Sequence, residues 1–221
     1  MNWQWLRDRL TSRVDDRRWV VVDVEASGLD AGADRLLAIA GVAIRFDQGP
    51  PELVLADSFE VILRQDDQPP GAALDRDNIL LHGIGVSSQQ NGVPPPEALS
   101  AFRTWVGSAP VLGYHADFDR TLIQRDCSRH LGRRLANPWA DIEHVVRSLV
   151  PGLPDRSLDS AMARFGIVCP ERHQAAADSL ATAEVLLRIL PLVKAETGGR
   201  LDFRTFRRLA DRHRWLPLDR P

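Results

Sequence analysis

The sequence predicts an α/β or α+β layer fold built on a mixed sheet, and three observations carry that reading. A β-rich block comes first, with strand-like runs at 18–24, 35–46 and 57–63 separated by turns bearing Gly, Asp and Pro. Next, the run "APVLGYH" at 109–115 reads as a buried strand between two helical patterns. Lastly, the rest of the chain keeps a helical period to its end. A meander followed by alternating β and α elements stacks as layers, with hairpin and crossover connections in one sheet.

Taken in order, residues 2–17 set Trp3, Leu6, Leu10 and Val14 at helical spacing, which predicts an amphipathic leader helix. The three-strand meander follows. "QPPGAALD" (68–75) and "NGVPPPEAL" (91–99) are breakers around a short segment holding His82, Gly83 and Ile84. Leu99, Phe102, Trp105 and Val106 predict a helix after Pro96, and Phe118, Leu122, Ile123 and Leu131 predict another from Asp117 onward. Further helices are expected over 141–149, 157–165, about 176–195 and 201–215. The expected organisation is a leader at 1–17, one domain over 18–195 and a helical extension over 196–221.

At 221 residues, 44% apolar and 26% charged, the composition is that of a globular protein with one good-sized core. No apolar run approaches the ~20 residues of a membrane span and no signal peptide opens the chain, so neither membrane nor export is expected. Cys127 and Cys169 make no disulfide framework or zinc spacing, which suits a cytoplasmic home. The net charge of −2 gives no general attraction to polyanions. The bases are nearly all Arg, however, and cluster at 125–134 and 204–214. Arg forks suit phosphate, although solvated helix faces would read the same way.

The acids raise the chemical question. Strand alternation sends Asp23 and Glu25 to one face of the first strand, near its carboxyl end. Asp119 falls in the first turn of the helix after the buried strand, at the edge where open α/β sheets place their sites. Asp178 opens the long late helix. His173 precedes it by five residues, about 500° of helical rotation, so it can share a site with Asp178 only from the loop before the helix. Taken singly, each has a bland reading as turn residue, cap or surface histidine. Together, two carboxylates 4 Å apart repel by about 4 kcal/mol at an effective dielectric near 20, so a cluster of four requires cations. Oxygen-only donors favour Mg²⁺ or Mn²⁺ over zinc. Two such ions suit in-line displacement at phosphorus, and an imidazole can take the proton of the attacking water.

The order Asp-x-Glu, His-Ala-x-Phe-Asp and His-x4-Asp resembles the DEDDh (DnaQ-like) 3′–5′ exonuclease superfamily over about residues 20–190. "LLHGIG" (80–85) and the Phe-Gly-Ile turn at 165–167 are smaller echoes of it. The resemblance implies an RNase H-like fold with a five-stranded sheet flanked by helices. It implies Asp23, Glu25, Asp119 and Asp178 as ligands of two divalent ions, and His173 as general base. It also implies substrate contacts at Ala26, Ser27, Gly28, Leu29, His82, His115 and Phe118, with Leu29 stacking on or wedging beside the last base. Ala26-Ser27-Gly28 stands where hydroxyl residues are usual, and Tyr114-His115 where His-Asn is common; both departures bear on substrate preference.

The activity implied is release of nucleoside monophosphates from 3′ ends, with single-stranded DNA preferred and RNA trimming of the oligoribonuclease or RNase T type as the alternative. A non-catalytic module that binds nucleic acid or a polymerase is the reading from another class; it would be marked by a lost ligand, and none is lost. A polymerase or repair protein and a second copy of the chain are the expected partners besides nucleic acid.

Overall fold

The computed structural model describes residues 14–47, 49–65, 79–80 and 82–213. Most of the leader, the breaker at 68–75 and the end of the 201–215 segment lie outside the described residues. Five strands, β1 (Arg18–Ala26), β2 (Leu36–Arg45), β3 (Glu52–Ile62), β4 (Val111–Gly113) and β5 (Trp139–Asp141), form one sheet in the order β3-β2-β1-β4-β5. β1 pairs antiparallel with β2, as β2 does with β3, whereas β4 and β5 run parallel to β1. The helices described in full are α1 (Val86–Gln90), α2 (Pro95–Val106), α3 (Asp117–Leu131), α4 (Ile142–Leu149), α5 (Leu158–Phe165), α6 (Ala175–Glu196) and α7 (Phe203–His213). The mixed five-stranded sheet flanked by helices is the architecture the sequence predicts.

Central position explains why β1 is apolar on both faces over its first half. Val20, Val22 and Val24 pack with Leu99 and Phe102 of α2 and Leu122 and Ile123 of α3. Trp19 and Val21 point the other way, into a cluster with Val145 of α4 and Val185, Leu186 and Ile189 of α6. Asp23 and Glu25 continue this second face, so α6 lies over the side of the strand from which the acids project.

Two features depart from the sequence expectation. β3 starts at Glu52 and not near 57, because a register irregularity opposite Val42 and Ala43 breaks its alternation. β5 was not foreseen: three residues carry too short a pattern, and it forms by pairing with β4. At the far end of the core, Phe203 and Phe206 of α7 close on Trp19, with ring centroids 5.7 and 5.5 Å away. Among the described residues no helix is long and apolar enough to cross a membrane.

Asp57 ties three elements together at the edge opposite the acids. It accepts two hydrogen bonds from Arg18, at 2.8 and 2.7 Å, one from Arg45 at 2.9 Å and one from Trp105 Nε1 at 3.0 Å. The Arg18 hydrogen bonds, outweighing partial burial, hold its carboxyl well below the usual range. Asp57→Ala would leave both guanidinium groups without this acid and is expected to lower the melting temperature by roughly 5–10 °C. Thermal unfolding at neutral pH checks this, and a fall under a degree or two would assign the cluster to solvent-screened surface charge.

Candidate active site

The carboxyl ends of the parallel strands β1, β4 and β5 gather at one edge of the sheet, and the chain bends sharply there. After β4, His115 takes a left-handed conformation (φ 60°), and its N–H donates to Asp141 Oδ1 at 3.1 Å. This turn delivers Asp119 into the first turn of α3, where it is buried. On the other side, His173 is also left-handed (φ 64°), and its N–H donates to Asp178 Oδ2 at 3.1 Å. His173 therefore sits on the loop before α6, as sharing a site requires, while Asp178 lies buried in that helix's first turn. A non-glycine residue at positive φ is costly and persists where its surroundings fix it; here each is fastened to an acid.

The charges of Asp119, Glu25 and Asp178 all act on Asp23, and those of Asp178 and Asp119 act on Glu25. Burial pushes the Asp23 carboxyl well above the usual range, and the charges of Asp119, Glu25 and Asp178 push it further. Burial, then Asp178 and Asp119, raises Glu25 to about 8. Asp119 is raised to about 8, chiefly by burial and also by Asp141, against hydrogen bonds from its own backbone and that of Val24. The counter-charge is internal: Arg172 ion-pairs with Asp178 and donates Nε to Asp159 Oδ1 at 2.7 Å, and its field lowers both Asp23 and Glu25.

A set of four carboxylates with no sulfur or nitrogen donor among them fits hard divalent ions such as Mg²⁺ or Mn²⁺. Among the described residues, no group of three or more His, Cys, Asp or Glu side chains is arranged to hold a metal as it stands.

The residues expected to contact substrate divide. Leu29 is 95% exposed at the tip of the turn after β1, free to meet a base. His82 is buried; its Nδ1 accepts from the Ile84 N–H at 2.9 Å, and Ile84 packs on Leu37 and Ala38 of β2. Ala38 pairs with Glu25 across the sheet, which places this segment beside the acids. Phe118 is half-buried and packs against the core cluster that α2 and α3 form on β1. Ala26 is buried in the core.

Ser27 and Gly28 are chiefly turn architecture. The Ser27 hydroxyl donates to Asp34 Oδ1 at 3.0 Å and accepts from the Arg35 N–H at 2.9 Å, while its own N–H donates to the Arg35 carbonyl at 2.9 Å. A Cβ on Gly28 would fall 2.5 Å from Asp34 Oδ2, so any side chain there would have to displace the Asp34 carboxylate. The Ser27 N–H and hydroxyl are thus both engaged within the turn.

Two site residues escaped the sequence reading. Asp141 accepts from the N–H groups of both His115 and Glu143, capping α4 and anchoring the turn before Asp119. An acid ending the strand beside β4 was the available signal, and β5 itself had been missed. Arg172 had no motif to announce it, only its place next to His173.

A partly buried set of carboxylates at the carboxyl edge of a mixed five-stranded sheet flanked by helices defines a protein of the RNase H-like fold class. The exonuclease family model (RNase_T) matches residues 20–186, and the chain belongs to that family. It is thus an enzyme of the exonuclease class, within the DnaQ-like group to which the motif order pointed. It is 27% identical over 185 residues to a PolC-type DNA polymerase III of Oceanobacillus iheyensis, covering 83% of this chain and 12% of that protein. It is 29% identical over 185 residues to a DNA polymerase III subunit epsilon-like protein of Rhodobacter capsulatus, covering 82% and 25%. The chain thus spans a quarter or less of the length of these relatives. Its fold matches E. coli exonuclease I in complex with a dT13 oligonucleotide at a TM-score of 0.66 and 20% identity, covering 82% of this chain and 42% of that one. Cell-death related nuclease 4 matches at 0.63 and 12%, covering 80% and 64%.

Proposed function

We propose that this chain is a divalent-metal-dependent 3′–5′ exonuclease that releases nucleoside monophosphates from single-stranded DNA ends. The observation that carries this reading is the mutual influence of the acids at this edge: beyond burial, the charges of Asp119, Glu25 and Asp178 raise Asp23, and those of Asp178 and Asp119 raise Glu25. Two Mg²⁺ or Mn²⁺ ions held by these carboxylates would neutralise the scissile phosphate and make water a better nucleophile. His173, exposed on a loop tied to Asp178, takes the proton of the attacking water as it adds to phosphorus and the 3′ oxygen leaves. Leu29 and Phe118 hold the terminal nucleotide. A polymerase or repair protein is the proposed macromolecular partner besides DNA, and the proposed setting is the cytoplasm.

The choice of DNA is supported by the relatives, which are DNA polymerase III proteins, and by a fold neighbour solved with a deoxythymidine oligonucleotide. A panel of single-stranded, double-stranded and mismatched DNA and short RNA, assayed with and without added Mg²⁺ or Mn²⁺, tests it. Activity that survives chelation would overturn the metal requirement, and faster cleavage of RNA would overturn the substrate.

A histidine base has its own signature. His173→Ala is expected to lower kcat by about 10²–10⁴-fold and to abolish the rise in rate across the range where an imidazole loses its proton. An unaltered rate–pH profile in this variant would remove His173 from the proton path.

A further inference from the structure

A groove of about 780 Å³ runs between the turn after β1 and the outer face of α3. Its walls carry Arg120, Arg125, Arg129 and Arg134 against a single acid, Asp117. In a chain of net charge −2 this is a local reversal of sign. We propose that this groove holds the sugar–phosphate backbone of the substrate strand upstream of the scissile bond. The inference rests on the nuclease reading above and extends it to the part of the strand that is not being cut.

Position favours this occupant. The lining residues recur along α3 at intervals of three and four from Asp117 to Arg129, which is one helical face about 18 Å long. That face starts in the helical turn that holds Asp119, so a strand whose 3′ end lies at the acids meets the arginines as it leaves them. The other wall includes Ala31 and Gly32, in the same turn as Leu29, the residue placed against the last base.

The groove is also built rather than incidental. Arg125 donates to the Ala31 carbonyl at 2.8 Å and to Asp126 Oδ1 at 2.9 Å, bridging the two walls. Gln124 fixes the far end by donating to the Leu135 carbonyl at 3.0 Å and accepting from the Leu135 N–H at 2.9 Å. Arg120, Arg129 and Arg134 are exposed on this rigid frame. Guanidinium forks along a polar groove, without base-reading pockets, suit phosphate contacts that position a strand and ignore its sequence.

The test separates groove from chemistry by measuring binding without catalysis. Arg120→Glu/Arg129→Glu reverses two exposed charges and leaves Arg125 and the wall contacts in place. In chelator, fluorescence anisotropy of a labelled oligo(dT) is expected to show at least about a tenfold loss of affinity for this variant, and a salt slope smaller by about 1.4, the value for two single-strand phosphate contacts. Arg204→Glu/Arg208→Glu, an equal charge change on the exposed face of α7, is the control and is expected to bind close to wild type. Equal losses in both variants would mean attraction by overall charge and would overturn the groove. So would wild-type affinity and slope in the α3 variant, even if the enzyme proves to be an exonuclease. Binding lost in the α3 variant from a chain that cleaves nothing would overturn the nuclease reading and leave the groove standing.

Discussion

Asp178→Asn is expected to cut mononucleotide release by about 10³-fold or more, close to 4 kcal/mol of transition-state stabilisation, while the fold survives. The substitution keeps the side chain's size and an oxygen that can accept the His173 N–H. What it removes is the charge that acts on Asp23 and Glu25 and that Arg172 opposes. The loss should therefore appear in kcat, with a melting temperature shifted by only a few degrees. Mononucleotide release from a 3′-labelled oligonucleotide at saturating Mg²⁺ or Mn²⁺ measures the first, and thermal unfolding in chelator the second. Activity within tenfold of wild type would exclude Asp178 from the centre. Collapse of the fold would instead make it a structural acid, and Asp23→Asn would then decide the catalytic question on β1.

The acids were legible in the sequence because strand alternation is strict. Asp23 and Glu25 had to share a face of β1, and Val20, Val22 and Val24 had to fill the other. Asp119 and Asp178 were legible because each opens a helix at the carboxyl edge of the sheet, where α/β folds place their sites. Helical arithmetic required His173 to lie on the loop before α6 if it was to share a site with Asp178, whereas its role as base is what the resemblance implies. The residues that were missed have no such rule. Arg172 acts through a long side chain whose partners, Asp159 and Asp178, are fixed only once α5 and α6 pack. Asp141 belongs to a strand that exists only by pairing with β4. The Ser27–Asp34 hydrogen bond was not legible because Asp34 lies seven residues on, across a turn whose closure no local pattern announces. The docking of α7 on Trp19 is a contact of the same long-range kind.

The metal-free protein is expected to lose stability as pH rises, the reverse of acid denaturation. Asp23, Glu25 and Asp119 all have carboxyls raised by burial and mutual repulsion, the last two to about 8. In the unfolded chain such groups ionise near pH 4. Below that pH both states are protonated and the cluster carries no penalty. Between about pH 4 and about pH 8 the folded state keeps protons that the unfolded state has released, so stability falls with each step upward. Asp57 works in the opposite sense, but its contribution is lost only as pH falls below the ordinary carboxylate range, so it does not offset the trend. In chelator the melting temperature should drop by at least about 5 °C from about pH 5.5 to about pH 8.5. Millimolar Mn²⁺ should abolish most of that drop, because an ion that binds only the folded, deprotonated cluster stabilises by mass action and releases the retained protons. Calorimetry in buffers of different ionisation enthalpy counts those protons directly. Arg172→Gln sharpens the test, since it removes the positive charge that lowers Asp23 and Glu25 and frees Asp178. The variant should fall more steeply with pH in chelator and gain more from Mn²⁺ than the wild type does. A flat melting profile in chelator, or Mn²⁺ binding without proton release, would show that the four carboxylates are already neutralised and that Arg172 is a sufficient counter-ion by itself.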